Sequence, residues 1–290
     1  MEDVVQYLLE VIGLRYIANY HTHVKLCGHA SGMSEDYILE AIKHGLKEIG
    51  ISDHGPIPRS FMTPQEYINN WLDRQMNEVA YRTIYLKDLS KTIEKYQKKI
   101  KIRKGLEIEY LSNHPEYYQT LLQDFDYLLL GVHYFETPNG LYNTYEPMDD
   151  LLLTYYAETV EKALATGFFK VLVHPDLCFA NYRDVAGQFH FTEHAKYIAK
   201  RIIIAANQNN VALEINAGGI RKVRIPHLSR LDFAYPRYDF WSVVQEFPQT
   251  KIIIGSDAHQ PHELADEAVQ TAFDFSDQFG FPLLETLSFE

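Results

Sequence analysis

Histidines and carboxylates recur through this chain in short, repeated groupings. His21-Thr22-His23 is followed by His29, then come Ser52-Asp53-His54, Glu107 and Glu109, His133, His174-Pro175-Asp176, Glu214 and Asn216, and Ser256-Asp257-Ala258-His259. Neutral imidazoles with a few carboxylates are the donors that zinc, iron and manganese take, whereas a calcium site is nearly all oxygen. Seven histidines with two or three acids exceed what one tetrahedral ion uses. They suit a cluster of two or three divalent transition-metal ions, with a carboxylate such as Glu107 bridging.

Each grouping follows a short apolar run. Seven such runs read as buried strands, at Ile17 to Tyr20, Glu48 to Ser52, Ile100 to Ile108, Tyr127 to Gly131, Lys170 to Val173, Val211 to Ile215 and Ile252 to Gly255. Continuous Ile, Leu and Val without alternation is the pattern of parallel strands covered on both faces. Helical patterns lie between them. Ser34 is placed to cap one, with Gly45 at its end; Glu146-Pro147 precedes another that ends at Gly167. Two more run from Thr192 to Asn209 and from Pro261 to Phe275. The N-terminal apolar positions Val4, Val5, Leu8, Leu9 and Ile12 also follow helical spacing. Thr63-Pro64 opens the largest insertion, a helical region spanning about 61–98 with a break near Tyr81.

Strand and helix in alternation predict an α/β fold with a parallel sheet. In a barrel the C-terminal strand ends converge on one mouth, whereas an open sheet would spread them along an edge. The expectation is therefore a single-domain distorted barrel over residues 1–290, with the metal site at the C-terminal ends of its strands. Within HTH the two imidazoles share one side of the chain, because side chains alternate with period two; Asp257 and His259 repeat that geometry.

Composition narrows the function. Among 290 residues, 39 acids against 27 bases leave a net charge of −12. A protein that coats nucleic acid or an anionic membrane needs the opposite excess. No targeting segment is visible, no apolar run is long enough to span a bilayer, and two cysteines make no disulfide framework. A cytoplasmic protein is expected. Cys27 reads as a bystander in the His23–His29 loop and Cys178 as packing. His44, His114, His190, His194, His227 and His262 follow no strand and are read as ordinary histidines.

Taken in order, HTH, His29, SDH, GLEIE, GVHYF, VHPD and GSDAH resemble the motifs of the PHP (polymerase and histidinol phosphatase) phosphoesterase family, from about residue 18 to 262. The opening NYHTHVKLCGHASG, the helical insertion and EINAGGIRK are most similar to its monofunctional histidinol-phosphate phosphatases. The resemblance implies a distorted (β/α)7 barrel with a trinuclear site. It implies that His21, His23, Glu107 and Asp257 hold one ion, that Glu107 bridges to a second held by His133 and His174, and that His29, His54 and His259 hold a third.

The activity so implied is hydrolysis of L-histidinol phosphate to L-histidinol and phosphate in histidine biosynthesis. The alternatives are a phosphoesterase of nucleotides or nucleic acid and a metal-binding protein without activity. In-line attack by an ion-activated water needs no protein nucleophile. Asp257 and His259 are candidates for moving a proton to the leaving oxygen. Arg183 and Arg221 follow the fifth and sixth strands and are the expected phosphate ligands, because a guanidinium fork suits phosphate oxygens. Asp184, Glu109 and Asp53 are candidates for the substrate's cationic end. The stretch from Ile220 to Arg237 reads as a lid.

Overall fold

The computed structural model describes residues 15–70, 72–187, 190–222 and 233–289. The N-terminal helical pattern, His227 and the middle of the expected lid (223–232) lie outside the described residues.

Seven strands run parallel: β1 (Ala18–Asn19), β2 (Glu48–Ile51), β3 (Lys101–Ile108), β4 (Tyr127–Leu130), β7 (Phe169–Leu172), β8 (Ala212–Asn216) and β9 (Ile252–Gly255), paired in that order. The ends of the sheet nearly meet. Thr22 bridges Ala258, His23 N donates to Ala258 O at 2.9 Å, and Ser256 N donates to Asn19 Oδ1 at 2.8 Å. The result is a nearly closed, distorted barrel.

Period-two alternation sorts the strand residues. Leu128 and Leu130 of β4, Leu213 and Ile215 of β8, and Ile252 and Ile254 of β9 face the surrounding helices in the main core. Their neighbours Tyr127, Leu129, Ala212 and Ile253 face the barrel axis, where Leu284 and Phe289 pack against them. Each fully buried aliphatic side chain contributes about 1.5–3 kcal/mol of apolar burial. The same alternation carries Glu107 and Glu214 inward one step beyond the apolar layer, so one end of the axis is greasy and the other polar.

Helices cover the outside. Ser34–Lys43, Leu86–Tyr96, Pro115–Asp124, Asp150–Ala165, Glu193–Gln208 and Glu267–Phe279 follow the strands. Asp149, Thr192 and Asp266 cap three of these, each accepting backbone N–H bonds from the first turn. Ser34 is already the first helical residue. The helix start is fastened instead by Asp36, whose carboxylate accepts from Met33 N at 2.7 Å. In the insertion between β2 and β3, the break near Tyr81 is a π-helical stretch, Tyr81–Tyr85. There Tyr85 Oη accepts from Asp53 N at 3.1 Å, beneath the site.

One element was not anticipated. β5 (Tyr134–Thr137) and β6 (Gly140–Asn143) form an antiparallel hairpin after β4. Gly140 has φ +105°, and Thr137 Oγ1 donates to Gly140 O at 2.7 Å, closing the turn. The hairpin carries Asn143 and, just beyond it, Tyr145 to the mouth.

Candidate metal centre

Glu107 projects from β3 into the middle of the polar end and is 1% exposed. Its Oε2 lies 3.3 Å from His21 Nε2, 3.3 Å from His23 Nε2 and 3.2 Å from His54 Nδ1. Its Oε1 lies 2.9 Å from His174 Nε2 and 3.4 Å from His133 Nε2. Asp257 Oδ1 closes the first group, 3.1 Å from His23 Nε2 and 3.6 Å from His21 Nε2. The His259 ring stacks on His23 at 4.2 Å, and His29 lies 4.7 Å from His259 and 5.3 Å from His54, centroid to centroid. All nine expected ligand residues therefore lie together in one cluster.

The backbone strains to achieve this. His174 and Asp257, two residues beyond β7 and β9, have φ of +32° and +46°. Bulky residues avoid this left-handed region, and such strain persists where surrounding contacts impose it, often at functional sites. Close packing imposes more. A Cβ at Gly131 would stand 2.4 Å from Glu107 Oε1, and one at Gly255 only 1.7 Å from Glu214 Oε1. Both carboxylates press against bare backbone.

The donor set fits divalent transition metals. Two bonds of about 2.0–2.1 Å at a tetrahedral angle hold donors roughly 3.3 Å apart, the spacing around Glu107 Oε2. His21 Nε2 and His23 Nε2 are buried without a hydrogen-bond partner. His23, His54 and His259 present donor atoms within 4.8 Å of one another, as do His21, His23 and Glu107, and His54, Glu107 and His133. Buried orphan nitrogens beside carboxylates are costly unless a cation satisfies them.

Burial alone would raise Glu107 and Asp257, but the surrounding imidazoles outweigh it and hold both well below the ordinary carboxylate range. Burial and neighbouring imidazoles push His54 well below its ordinary value and His259 down to about 3, so both rings are neutral, as ligation requires. His21 and His23 go the other way. Burial lowers each, but Glu214, Asp257 and Glu107 carry His21 well above its ordinary value, and Asp257 and Asp53 lead in raising His23 to about 9. Cation binding at these two rings must release protons.

Behind the ligands stands a second set of acids. Glu214 Oε1 lies 2.7 Å from His21 Nδ1, Glu109 Oε1 2.8 Å from His133 Nδ1, and Asp53 Oδ1 3.5 Å from His23 Nδ1. Glu214 and Glu109 hydrogen-bond a ring's other nitrogen and so point the first one forward, as partners of metal-bound histidines do, while Asp53 makes a longer contact with His23. Glu109 and Asp53, read from sequence as candidates for the substrate's cationic end, lie here behind the cluster, against His133 and His23. Both are buried, and Glu109 also accepts from Tyr134 Oη at 3.0 Å. Glu214 ended a predicted strand but had no assigned role; its inward register on β8 was the available signal.

The cluster opens into a cavity of about 730 Å³ lined by His29, His54, Glu107, His133, Asp257 and His259. Asn70, Arg74 and Gln75 from the insertion, and Asn143 and Tyr145 from the hairpin region, form other parts of its wall. Arg183 and Asp184 do not line it. Arg183 Nη1 donates to Tyr182 O at 2.7 Å, and Asp184 pairs with His190 at 3.0 Å. Arg221 lines it, but its guanidinium is bound elsewhere: Nε and Nη2 donate to Asp266 at 2.8 and 2.9 Å, Nη2 to Glu263 O and Nη1 to Ser256 O at 2.6 Å each. Lys222, unassigned from sequence, faces the same cavity. Cys27 stands beside the cluster. It is buried, and its sulfur lies within 4.8 Å of donor atoms of His29 and His259. Cys178 packs in the main core.

A parallel barrel with a buried, multi-histidine cluster at the C-terminal strand ends defines a protein built to gather metal-ligating side chains at one mouth. Residues 19–218 match the family described as PHP domain, and the chain belongs to that family. It is 28% identical over 260 residues to a Deinococcus radiodurans protein named "Probable histidinol-phosphatase", covering 86% of this chain and 88% of that one. It is 23% identical over 261 residues to the histidinol-phosphatase of Bacillus subtilis, covering 83% and 92%. In fold it is similar to the histidinol phosphate phosphatase of Lactococcus lactis, crystallised with zinc, L-histidinol and phosphate. That likeness has a TM-score of 0.67 at 19% identity, over 94% of this chain and 97% of that one.

Proposed function

We propose that this protein is a metal-dependent phosphatase that hydrolyses L-histidinol phosphate to L-histidinol and inorganic phosphate, a step of histidine biosynthesis. The observation that carries the reading is the convergence of five imidazoles on Glu107, with Asp257 beside them, at the floor of an open cavity. The histidinol-phosphatase names of relatives that align over most of their length support the choice of substrate.

His21, His23, Glu107 and Asp257 would hold one ion, His133 and His174 with Glu107 a second, and His29, His54 and His259 a third. Zinc, iron or manganese suits these donors, and two to three ions suit their number. Bound there, such ions supply Lewis-acid activation of water and neutralise charge on the phosphoryl oxygens. The chain's own part is positional. Glu214 and Glu109 fix the orientations of His21 and His133, while the cavity walls orient the ester above the cluster. Asp257 and His259 reach the cavity and are placed to move a proton near the leaving oxygen. Both cysteines are free and buried, in keeping with a cytoplasmic setting. Among the described residues no helix is long and apolar enough to cross a membrane.

The test is a panel of phosphomonoesters, histidinol phosphate included, assayed on protein of measured metal content. The reading expects histidinol phosphate to be hydrolysed with the highest kcat/KM and chelation to abolish turnover. Equal activity in metal-stripped protein, or preference for a nucleotide, would overturn it.

A further inference from the structure

We propose that Cys27 is a further ligand of the metal centre, its thiolate completing, with His29 and His259, the shell of the third ion. The inference rests on the reading of the cluster as a metal centre and adds a donor outside the histidines and carboxylates assigned above.

The chain builds a tight turn around the sulfur. The short helical turn Lys25–Cys27 ends at Gly28, whose φ of +83° reverses the chain, and Gly28 N donates to Lys25 O at 3.2 Å. A side chain at Gly28 would not fit, because a Cβ there would stand 2.3 Å from Arg74 O of the insertion. The insertion therefore packs directly on this turn and fixes it. Cys27 is left 1% exposed, on the wall of the cavity that His29 and His259 also line. A left-handed glycine after a helical residue aligns successive backbone N–H groups into a nest that holds anions. Here the N–H groups of His29 and Ala30 face the sulfur.

Two pairs of donors flank that sulfur. Sγ and donor atoms of His29 and His259 all lie within 4.8 Å of one another. Each of these rings turns Nδ1 to a backbone carbonyl, His29 to Cys27 O and His259 to Asp257 O, at 3.1 Å each. A carbonyl only accepts, so Nδ1 carries the proton and Nε2 is the free donor of both rings. On the buried side, donor atoms of His23 and Asp53 come within the same distance of the sulfur. Both side chains are 0% exposed, and His23 Nδ1 and Asp53 Oδ2 have no hydrogen-bond partner. Donors left unpaired at this depth are costly unless a cation stands near.

Coordination chemistry supplies the reason. His29, His54 and His259 give the third ion three nitrogens, one donor short of a four-coordinate shell. Bonds of about 2.3 Å to sulfur and about 2.0–2.1 Å to nitrogen, at a tetrahedral angle, set the two donors roughly 3.6 Å apart, inside the span of Cys27, His29 and His259. On binding, the S–H bond breaks, the sulfur–metal bond forms, and the proton leaves through the cavity to solvent. A thiolate is a soft donor, so this position should favour zinc over manganese, whose usual donors are carboxylate, carbonyl and water oxygens.

The experiment is X-ray absorption at the zinc edge on zinc-loaded parent, Cys27→Ser and Cys178→Ser, with zinc content measured for each. The parent and Cys178→Ser should show a sulfur scatterer at about 2.3 Å beside the nitrogen and oxygen shell, and Cys27→Ser should lose it. Competition of manganese against zinc supplies a second readout. Cys27→Ser should hold one zinc ion less tightly by roughly 10-fold or more, since loss of an outer partner of a ligand already costs about 10- to 100-fold. A zinc shell without sulfur in the fully loaded parent overturns the assignment, whether or not either variant folds. A sulfur scatterer that persists in Cys27→Ser overturns it as well. A parent that takes up no zinc or other transition metal overturns the metal-centre reading beneath it. Turnover plays no part in the decision, so the choice of substrate stands or falls separately.

Discussion

Glu214→Gln is nearly isosteric, yet the surroundings of Glu214 give the amide no good orientation. Oε1 accepts from His21 Nδ1 at 2.7 Å, while Oε2 accepts from His174 N at 3.0 Å and from Asn216 Nδ2 at 2.7 Å. With the amide oxygen toward His21, the new NH2 faces two donors. With the amide flipped, its NH2 donates to His21 Nδ1, the ring proton moves to Nε2, and the nitrogen aimed at Glu107 and Asp257 can no longer bind a cation. Gly255 leaves no room for escape, since the carboxylate already packs on bare backbone. Hydrogen bonds to charged groups are worth about 1.5–3 kcal/mol each. Loss of an outer partner of a metal-bound histidine costs about 10- to 100-fold in affinity, or about 1.4–2.7 kcal/mol. The two ranges overlap between about 1.5 and 2.7 kcal/mol, so at least one ion should be retained roughly 10- to 100-fold less tightly. Dialysis of parent and variant against graded chelator, followed by elemental analysis, measures this, with circular dichroism to establish that the fold is intact. Retention within about twofold of the parent in a folded variant would refute the orienting role of Glu214.

Three further outcomes are expected. Glu107→Gln should lose at least one ion and most turnover, since one carboxylate faces five imidazole nitrogens; full metal content and full rate would count against the shared-ligand assignment. Asp266→Ala removes both the helix cap and the partner of Arg221, so unfolding in denaturant should show a loss above the ~1 kcal/mol of a cap alone, reaching about 3–5 kcal/mol if Arg221 is left unpaired. Asp176 is buried, and burial raises its carboxyl to about 7, although Arg237 N and Trp241 Nε1 donate to it. Its folded value exceeds the unfolded one near 3.8, so the unfolded chain ionises first and the group's contribution to stability falls between about pH 4 and 7. Chelated Asp176→Asn should therefore gain on the parent across that window, by an amount on the order of 4 kcal/mol at pH 8; parallel stability curves would show that the carboxyl is not held protonated.

The parallel barrel was legible because its signal is local. Apolar runs such as Leu128-Leu129-Leu130 and Ile252-Ile253-Ile254 mark doubly covered strands, and a polar residue after each marks the mouth. The hairpin β5–β6 escaped because its strands are short and half-buried, and its Pro138-Asn139 turn reads as ordinary loop. The chain also announces which residues can bind metal, since imidazole and carboxylate at strand ends are chemical facts independent of packing.

Which acid touches the ions and which stands behind them is a different kind of fact. Glu107 lies on β3 and Glu109 just past its end, and the two share a residue type and a side of the chain. Only the ring of His133, interposed between Glu109 and Glu107, separates ligand from support. Arg221 and Lys222 are adjacent cations at the end of one short helix, and their surroundings differ because Asp266, contributed 45 residues later, pairs with the first. Residue type and spacing determine the chemistry available to a chain. Partners brought from far along it decide which atoms remain free to use that chemistry, and those partners exist only once the barrel has closed.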